Sequence, residues 1–231
     1  MNYEIKDNIA VIRFNDPTSK VNSLNLAFMD DAKSIFNELQ SSNLASNVKG
    51  IVLISAKTDC FVAGADINML EKCKSAFETE SLSLEGHKFL DQLENSPIPV
   101  VAAIQGSCLG GGLELALASH YRIAVNDRKT VMALPEVMLG LLPGGGGTQR
   151  LPHLINVPDA LQMMLMGKNI RPVKAKKMGL VDQVIEPLGP GVAPPDVRTL
   201  EYLEEVAIET AKKLASKQMK IERKRPLQES K

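Results

Sequence analysis

Two glutamates and the glycine-rich turns around them are the residues of this chain whose types and spacing could do chemistry. The first turn, Phe61-Val62-Ala63-Gly64-Ala65-Asp66-Ile67, runs from a strand end through small residues into a helix that Asp66 is placed to cap. Small side chains let a ligand approach the backbone, and amides at a helix start are oriented to donate to negative charge. By itself the segment also suits an ordinary capped helix. The second turn, Gly106 to Glu114, brings Gly110-Gly111-Gly112 to the start of a helix with Glu114 in its first turn. The N–H groups there have no intrahelical acceptor, so the turn can bind an anion or a developing oxyanion. Glu114 alone could serve only the helix dipole. In Ala133-Leu134-Pro135-Glu136 a carboxylate follows a proline in an apolar segment, ahead of Gly140 and Gly144-Gly145-Gly146-Gly147. Alone, that glutamate reads equally as an exposed loop charge. The four glycines fit neither G-x-x-x-x-G-K-S/T nor G-x-G-x-x-G, so nucleotide hydrolysis and dinucleotide binding lack their signatures. In combination, two turns facing one point make an oxyanion hole for a thioester enolate, and paired carboxylates can manage a water and a proton beside it.

The elements that must position these groups follow from periodicity. Tyr3 to Phe14 alternates like a strand pair turning near Asp7-Asn8, and Asn15 to Lys20 is a loop. Met29, Ala32, Ile35, Phe36 and Leu39 mark one face of a helix over about 25–40. Gly50 to Ala56 and Val100 to Ile104 are continuous apolar runs, as expected of strands covered on both faces. A helix over about 80–95 ends at Pro97 and Pro99. After the glycine triplet come a helix to Ser119, a strand over Tyr121 to Val125, two helices near 148–154 and 158–166, and a last strand over 180–186. This alternation predicts an α/β domain with covered sheets. The proline- and glycine-rich stretch 187–196 marks the edge of the core, placing a core over 1–190 and a C-terminal helical extension over 191–231. On that extension Leu200, Leu203, Val206, Ala207, Ala211 and Leu214 form an apolar stripe that must be covered by the core, by another subunit or by a following unit, and closure over the domain's own substrate pocket is the favoured expectation.

Composition narrows the function classes. With 44% apolar residues the 231-residue chain can build a substantial core. Lys plus Arg, 27, equals Asp plus Glu, 27, so no global field favours nucleic acid or an anionic membrane. The odd number of scattered cysteines, Cys60, Cys73 and Cys108, suits a reducing compartment. The scattered histidines offer no metal-site spacing. No apolar run is long enough to span a membrane. The N-terminus lacks a signal or transit segment, as expected of a cytosolic protein or one whose targeting peptide has been removed.

On these motifs the chain resembles the crotonases over nearly all of 1–190. The residues that carry the resemblance are Ala63-Gly64-Ala65-Asp66-Ile67, Gly106 with Gly110-Gly111-Gly112-Leu113-Glu114, Pro135-Glu136-Val137, and Gly140 with Pro143 through Pro152. It implies a ClpP/crotonase-like spiral of repeated ββα units, stacking two roughly perpendicular sheets with flanking helices. It places the oxyanion-hole amides on Ala65 and Gly111 and the catalytic glutamates on Glu114 and Glu136. It assigns acyl-CoA contacts to Lys20, Val21, Ala63, Gly64, Asp66, Ile67, Gly110, Pro135 and Gly144. Asn68 stands where many relatives carry a lysine near the CoA phosphates, leaving Lys20 or a basic tail residue as candidates. Both glutamates favour an enoyl-CoA hydratase for medium or long acyl chains, needing no metal and no cofactor. An isomerase using mainly Glu136 and a non-catalytic acyl-CoA-binding or assembly module are the alternatives.

Lys20-Val21-Asn22, Lys176 to Asp182, Glu186 to Gly191 and Arg198 to Glu205 bring the chain nearest to the hydratase regions of mitochondrial trifunctional α-subunits. That likeness implies a mitochondrial location and a dehydrogenase unit following this one. It also implies a thiolase β-subunit partner, a trimer or hexamer for the isolated domain, and membrane association only in a full complex.

Overall fold

The computed structural model describes residues 1–39, 41, 47–189, 191 and 194–223. Strands β1 (Asn2–Lys6) and β2 (Ile9–Phe14) form a hairpin through Asp7 and Asn8, both at positive φ, 50° and 66°. A two-residue turn with that backbone matches the twist of the strands it joins. Helix α1 (Leu26–Leu39) buries Ala32, Ile35, Phe36 and Leu39, the face predicted by periodicity. Then come β3 (Gly50–Ser55), β4 (Cys60–Val62), α2 (Ile67–Glu71), α3 (Ala76–Glu94), β5 (Val100–Ile104), β6 (Ser107–Leu109) and α4 (Gly111–Ala118). The chain continues through β7 (Tyr121–Val125), β8 (Val131–Ala133), a 3-10 turn (Glu136–Leu139), α5 (Gly147–Leu154), α6 (Val157–Met166), α7 (Pro172–Met178), β9 (Gln183–Ile185) and α8 (Pro195–Ala215).

The strands form two sheets, one ordered β1-β2-β3-β5-β7-β9 and parallel from β2 onward, the other β4-β6-β8 and wholly parallel. Three times in succession the chain crosses the large sheet, then the small one, then enters a helical segment: β3-β4-α2, β5-β6-α4 and β7-β8 into the 3-10 turn. This is the ββα spiral implied by the crotonase resemblance. Sequence reading gave only the end of β4, at Phe61-Val62, and missed β6, β8 and α7. The three strands have three residues each, too short to show a period, and α7 spans less than two full turns of a recognisable stripe. The strand expected over 180–186 shrinks to β9.

Side chains on opposite faces of the large sheet feed different cores. Ala10, Ile12, Ile51, Leu53, Ala102 and Ile104 join α1, α3 and α4 in one cluster. Ile9, Val11, Val52, Ile54, Val101, Ala103, Ile123 and Val125 form a second, closed by Leu203, Ala207, Ile208 and Ala211 of α8. The stripe on the C-terminal helix is therefore covered by the sheet face opposite α4. The expectation that it closes over the domain's own substrate pocket does not hold.

Arg122, on β7, is fully buried. It donates through Nε to Leu180 O (2.9 Å), through Nη1 to Ser119 O (2.7 Å) and through Nη2 to Asp182 Oδ2 (2.9 Å). Asp182 Oδ2 also accepts the Arg122 backbone N–H at 2.8 Å. Removing the carboxylate leaves a buried cation uncompensated, which typically costs about 3–5 kcal/mol. Asp182→Ala is expected to lose stability on that scale in denaturant unfolding, and a loss comparable to a surface substitution would refute this role.

Candidate active site

Each strand of the small sheet ends at one part of the site. Beyond β4, Leu24 and Ala65 form a parallel bridge in which Leu24 N–H donates to Gly64 O (2.8 Å) and Asp66 N–H to Leu24 O (3.0 Å). Alternate amides point to opposite sides of such a chain, so Ala65 N–H faces away and has no protein acceptor among the described residues. Asp66 caps α2 by accepting Asn68 N–H, as expected.

Beyond β6, Gly110 N–H is anchored on Ala133 O of β8 at 2.9 Å. Gly111 opens α4, where a first-turn amide has no intrahelical partner. A Cβ built on Gly111 would stand 3.7 Å from Ala65 N, so the two amides assigned to the oxyanion hole lie together.

Glu114 is 2% exposed, and its Oε1 accepts two backbone N–H bonds, from Gly145 at 2.8 Å and Gly147 at 2.7 Å. Burial pushes its carboxyl above the usual range, while the Gly147 and Gly145 amides and the charges of His87 and Arg150 pull the other way. Gly145 is required by close approach, because a Cβ there would meet Glu114 Oε2 at 2.6 Å.

Beyond β8, Glu136 opens the 3-10 turn, with Oε1 3.0 Å from the position of a Cβ on Gly110. Its Oε2 is buried without a partner among the described residues. Burial, reinforced by the charge of Glu114, raises its pKa to about 7. The site thus pairs a carboxylate held by two amides with one that favours its proton, beside two unused backbone donors. That arrangement can stabilise an enolate and move two protons at adjacent carbons.

The structure brings Ala63, Gly64, Ala65, Asp66, Gly110, Gly111, Glu114, Pro135 and Glu136 onto these three strand ends. Ile67 is exposed at the start of α2. Lys20 and Val21 are exposed on the loop before Leu24. Gly144 lies under α3, its carbonyl accepting Ser83 Oγ at 2.5 Å and His87 Nε2 at 2.8 Å.

Sequence reasoning overlooked three supports. Lys57 Nζ pins the 15–20 loop through Asp16 O (2.8 Å) and Ser19 O (2.9 Å). Buried Asn22 ties that loop to Ser55 Oγ (2.9 Å) and Phe61 O (3.0 Å). Arg150 grips Gly145 O at 2.9 Å. A lysine, an asparagine and an arginine outside glycine-rich segments give no local signal of such work. A cavity of about 560 Å³ runs between α1, α2 and α3, lined by Leu26, Met69, Phe77 and Leu82. It reaches Asp66 next to the oxyanion pair without touching either glutamate.

Residues 4–227 match the enoyl-CoA hydratase/isomerase family model. The chain is 53% identical over 179 residues to the fatty acid oxidation complex subunit alpha of Shewanella baltica strain OS185, which covers 78% of this chain and 25% of that protein. It therefore spans about a quarter of the length of the curated relatives it matches. Among solved structures it resembles an enoyl-CoA hydratase from Bacillus anthracis, at 32% identity and TM-score 0.78, covering 94% of this chain and 77% of that one. An enoyl-CoA hydratase from Geobacillus kaustophilus HTA426 gives 33% identity, TM-score 0.77 and coverage of 90% and 73%. The bacterial curated relatives overturn the expected mitochondrial location and point to a bacterial protein.

Proposed function

The chain belongs to the enoyl-CoA hydratase/isomerase family, and from that premise we propose that it hydrates 2-trans-enoyl-CoA to 3-hydroxyacyl-CoA in fatty acid oxidation. The observation that carries this reading is the pairing in one site of Glu114, whose Oε1 accepts two backbone amides, with Glu136, whose Oε2 is buried without a partner among the described residues and whose pKa is raised to about 7. Two amide donors on one oxygen favour the ionised form of Glu114. An unpartnered buried oxygen favours the neutral form of Glu136.

In the proposed reaction a water held between the carboxyl groups gives its proton to Glu114 as its oxygen bonds to the β-carbon. The π electrons move toward the thioester oxygen, where Ala65 N–H and Gly111 N–H receive the developing charge. Glu136 then delivers its proton to the α-carbon as the carbonyl re-forms, leaving one molecule of water added. Exchange with solvent restores the two protonation states. Each backbone donor of this kind typically contributes about 2.7–4 kcal/mol to lowering the barrier. The chemistry needs no redox cofactor, because the thioester activates the β-carbon.

The cavity between α1, α2 and α3 begins beside Asp66, and the apolar part of its lining, Leu26, Met69, Phe77 and Leu82, supports a preference for medium or long acyl chains. We further propose that this hydratase unit works within a longer oxidation-complex α-subunit, alongside a thiolase β-subunit.

The test is hydration of 2-enoyl-CoA substrates of increasing length across pH. Glu136 acts in its protonated form, so kcat/KM should fall as pH rises through about 7. Glu114 acts ionised, so the rate should also fall on the acid side, giving a bell whose limbs belong to the coupled pair. Activity that keeps rising above neutrality excludes Glu136 as the acid. No turnover with any enoyl-CoA excludes the hydratase reading.

A further inference from the structure

Three successive peptide groups of the glycine loop are each gripped from the side facing away from Glu114. The Gly144–Gly145 peptide donates its N–H to Glu114 Oε1, while its carbonyl accepts from Ser83 Oγ (2.5 Å) and from His87 Nε2 (2.8 Å) of α3. Since a carbonyl can only accept, His87 carries a proton on Nε2 in this arrangement. The Gly145–Gly146 carbonyl accepts Arg150 Nη1 at 2.9 Å. The Gly146–Gly147 peptide donates its N–H to the same Glu114 oxygen, and its carbonyl accepts Gln149 N–H and Arg150 N–H at the start of α5. Arg150 is itself braced by Glu94 Oε2 (2.8 Å) and Asp91 Oδ1 (2.5 Å), so Ser83, His87, Asp91 and Glu94 form one stripe along α3 at helical spacing. Donors on a peptide carbonyl polarise the amide and strengthen its N–H as a donor.

We propose that Ser83, His87 and Arg150 are positioning residues for Glu114: Ser83 and His87 aim and polarise the Gly145 amide through the Gly144 carbonyl, and the Arg150 side chain, on the Gly145 carbonyl of the peptide between the two donating amides, holds Gly145 and Gly147 in line. This rests on the hydratase reading, in which Glu114 takes the proton of water. None of the three touches the carboxylate. They act through the peptide groups between, and a loop of four glycines has no side chains to hold that geometry by itself.

The test compares Arg150→Met, the double variant Ser83→Ala/His87→Phe, and Asp91→Asn/Glu94→Gln, which removes the bracing charges but leaves the Arg150 contact to Gly145. Displacement by about 1 Å can cost about 10²-fold, so Arg150→Met should lower kcat by about that factor and the Ser83/His87 variant by roughly tenfold, with KM little changed. The acid limb of the rate profile should move to higher pH in both. The charged groups acting on Glu114 are His87 from α3, Arg150 from α5 and Glu136 from the 3-10 turn. The Asp91/Glu94 variant should melt earlier while keeping most of its kcat and its acid limb. Carbon-13 NMR of glutamate carboxyl groups, with Glu114→Gln assigning the signal, reads the same titration without turnover. Native kcat and native Glu114 titration in the first two variants overturn the proposal, as does an equal shift in the Asp91/Glu94 variant. Inactive wild type rejects the hydratase reading, and native Glu114 titration in the first two variants then rejects the positioning role as well.

Discussion

Glu114→Gln and Glu136→Gln should each lower enoyl-CoA hydration by about 10²–10⁴-fold while the domain remains folded, since each keeps the shape of the side chain and removes one acid or base. The two variants should differ in stability. Glu136 has its carboxyl raised from 4.5 to about 7 in the folded chain, so between those values the folded state holds more protons than the unfolded one. The stability linked to that proton is fully present below about pH 4.5 and lost as pH rises through about 7. Glutamine cannot ionise and escapes the loss. Glu136→Gln should therefore melt above the wild type on the alkaline side of neutrality and close to it near the ordinary glutamate range. Lower activity with higher stability is the mark of a group strained for function. Turnover near the wild-type rate in either variant would remove that residue from the mechanism, and a uniform loss of stability would make Glu136 a structural carboxyl.

The second large effect is expected from removing α8. Cutting the chain after Glu186 uncovers the sheet face made by Ile9, Val11, Val52, Ile54, Val101, Ala103, Ile123 and Val125. It also removes the Glu204 carboxylate that pairs with Arg13 (2.6 Å) and Lys6 (2.7 Å). Leu203, Ala207 and Ala211 are fully buried against that face. An apolar surface of this extent is not tolerated in water, so the truncated chain should lose its cooperative melt and its solubility. Leu203→Ala offers a milder version, expected to cost about 2–5 kcal/mol with KM unchanged, because the helix lies on the face away from Glu114. An unchanged melting temperature in the truncated chain would defeat the assignment, and a raised KM in Leu203→Ala would return the helix to the substrate pocket.

Much of this arrangement was readable from residues alone. The period of α1, the continuous apolar runs of β3 and β5, and the Asp7-Asn8 turn are local signals, each set by neighbours in sequence. The two glycine-rich turns and the two glutamates were legible because close backbone approach and acid–base chemistry restrict residue type. The small sheet was not, because Cys60–Val62, Ser107–Leu109 and Val131–Ala133 become strands only by pairing with one another across long stretches of chain. The stripe on α8 was visible, but what covers it is decided by the outer face of a sheet whose residues read as buried on both sides. The grip of Ser83, His87 and Arg150 was equally hidden, since its partners are carbonyls, which every residue carries.

The three short strands of the small sheet act as a ruler. Each step along a strand is about 3.3 Å, and register between neighbours is fixed in whole steps. A bulge between Cys60 and Val62 gives β4 one extra residue, and beyond it Val62 pairs with Cys108 and Cys108 with Met132, so the distances from Ala65 to Gly111 and on to Glu136 are set by counting residues beyond that common line. A single insertion between β6 and Gly110 would carry the glutamate of α4 off that line by far more than the fraction of an ångström a reacting geometry allows. Substitutions can thus retune the chemistry one strand end at a time, whereas the lengths of the three crossovers out of the sheet are held almost fixed.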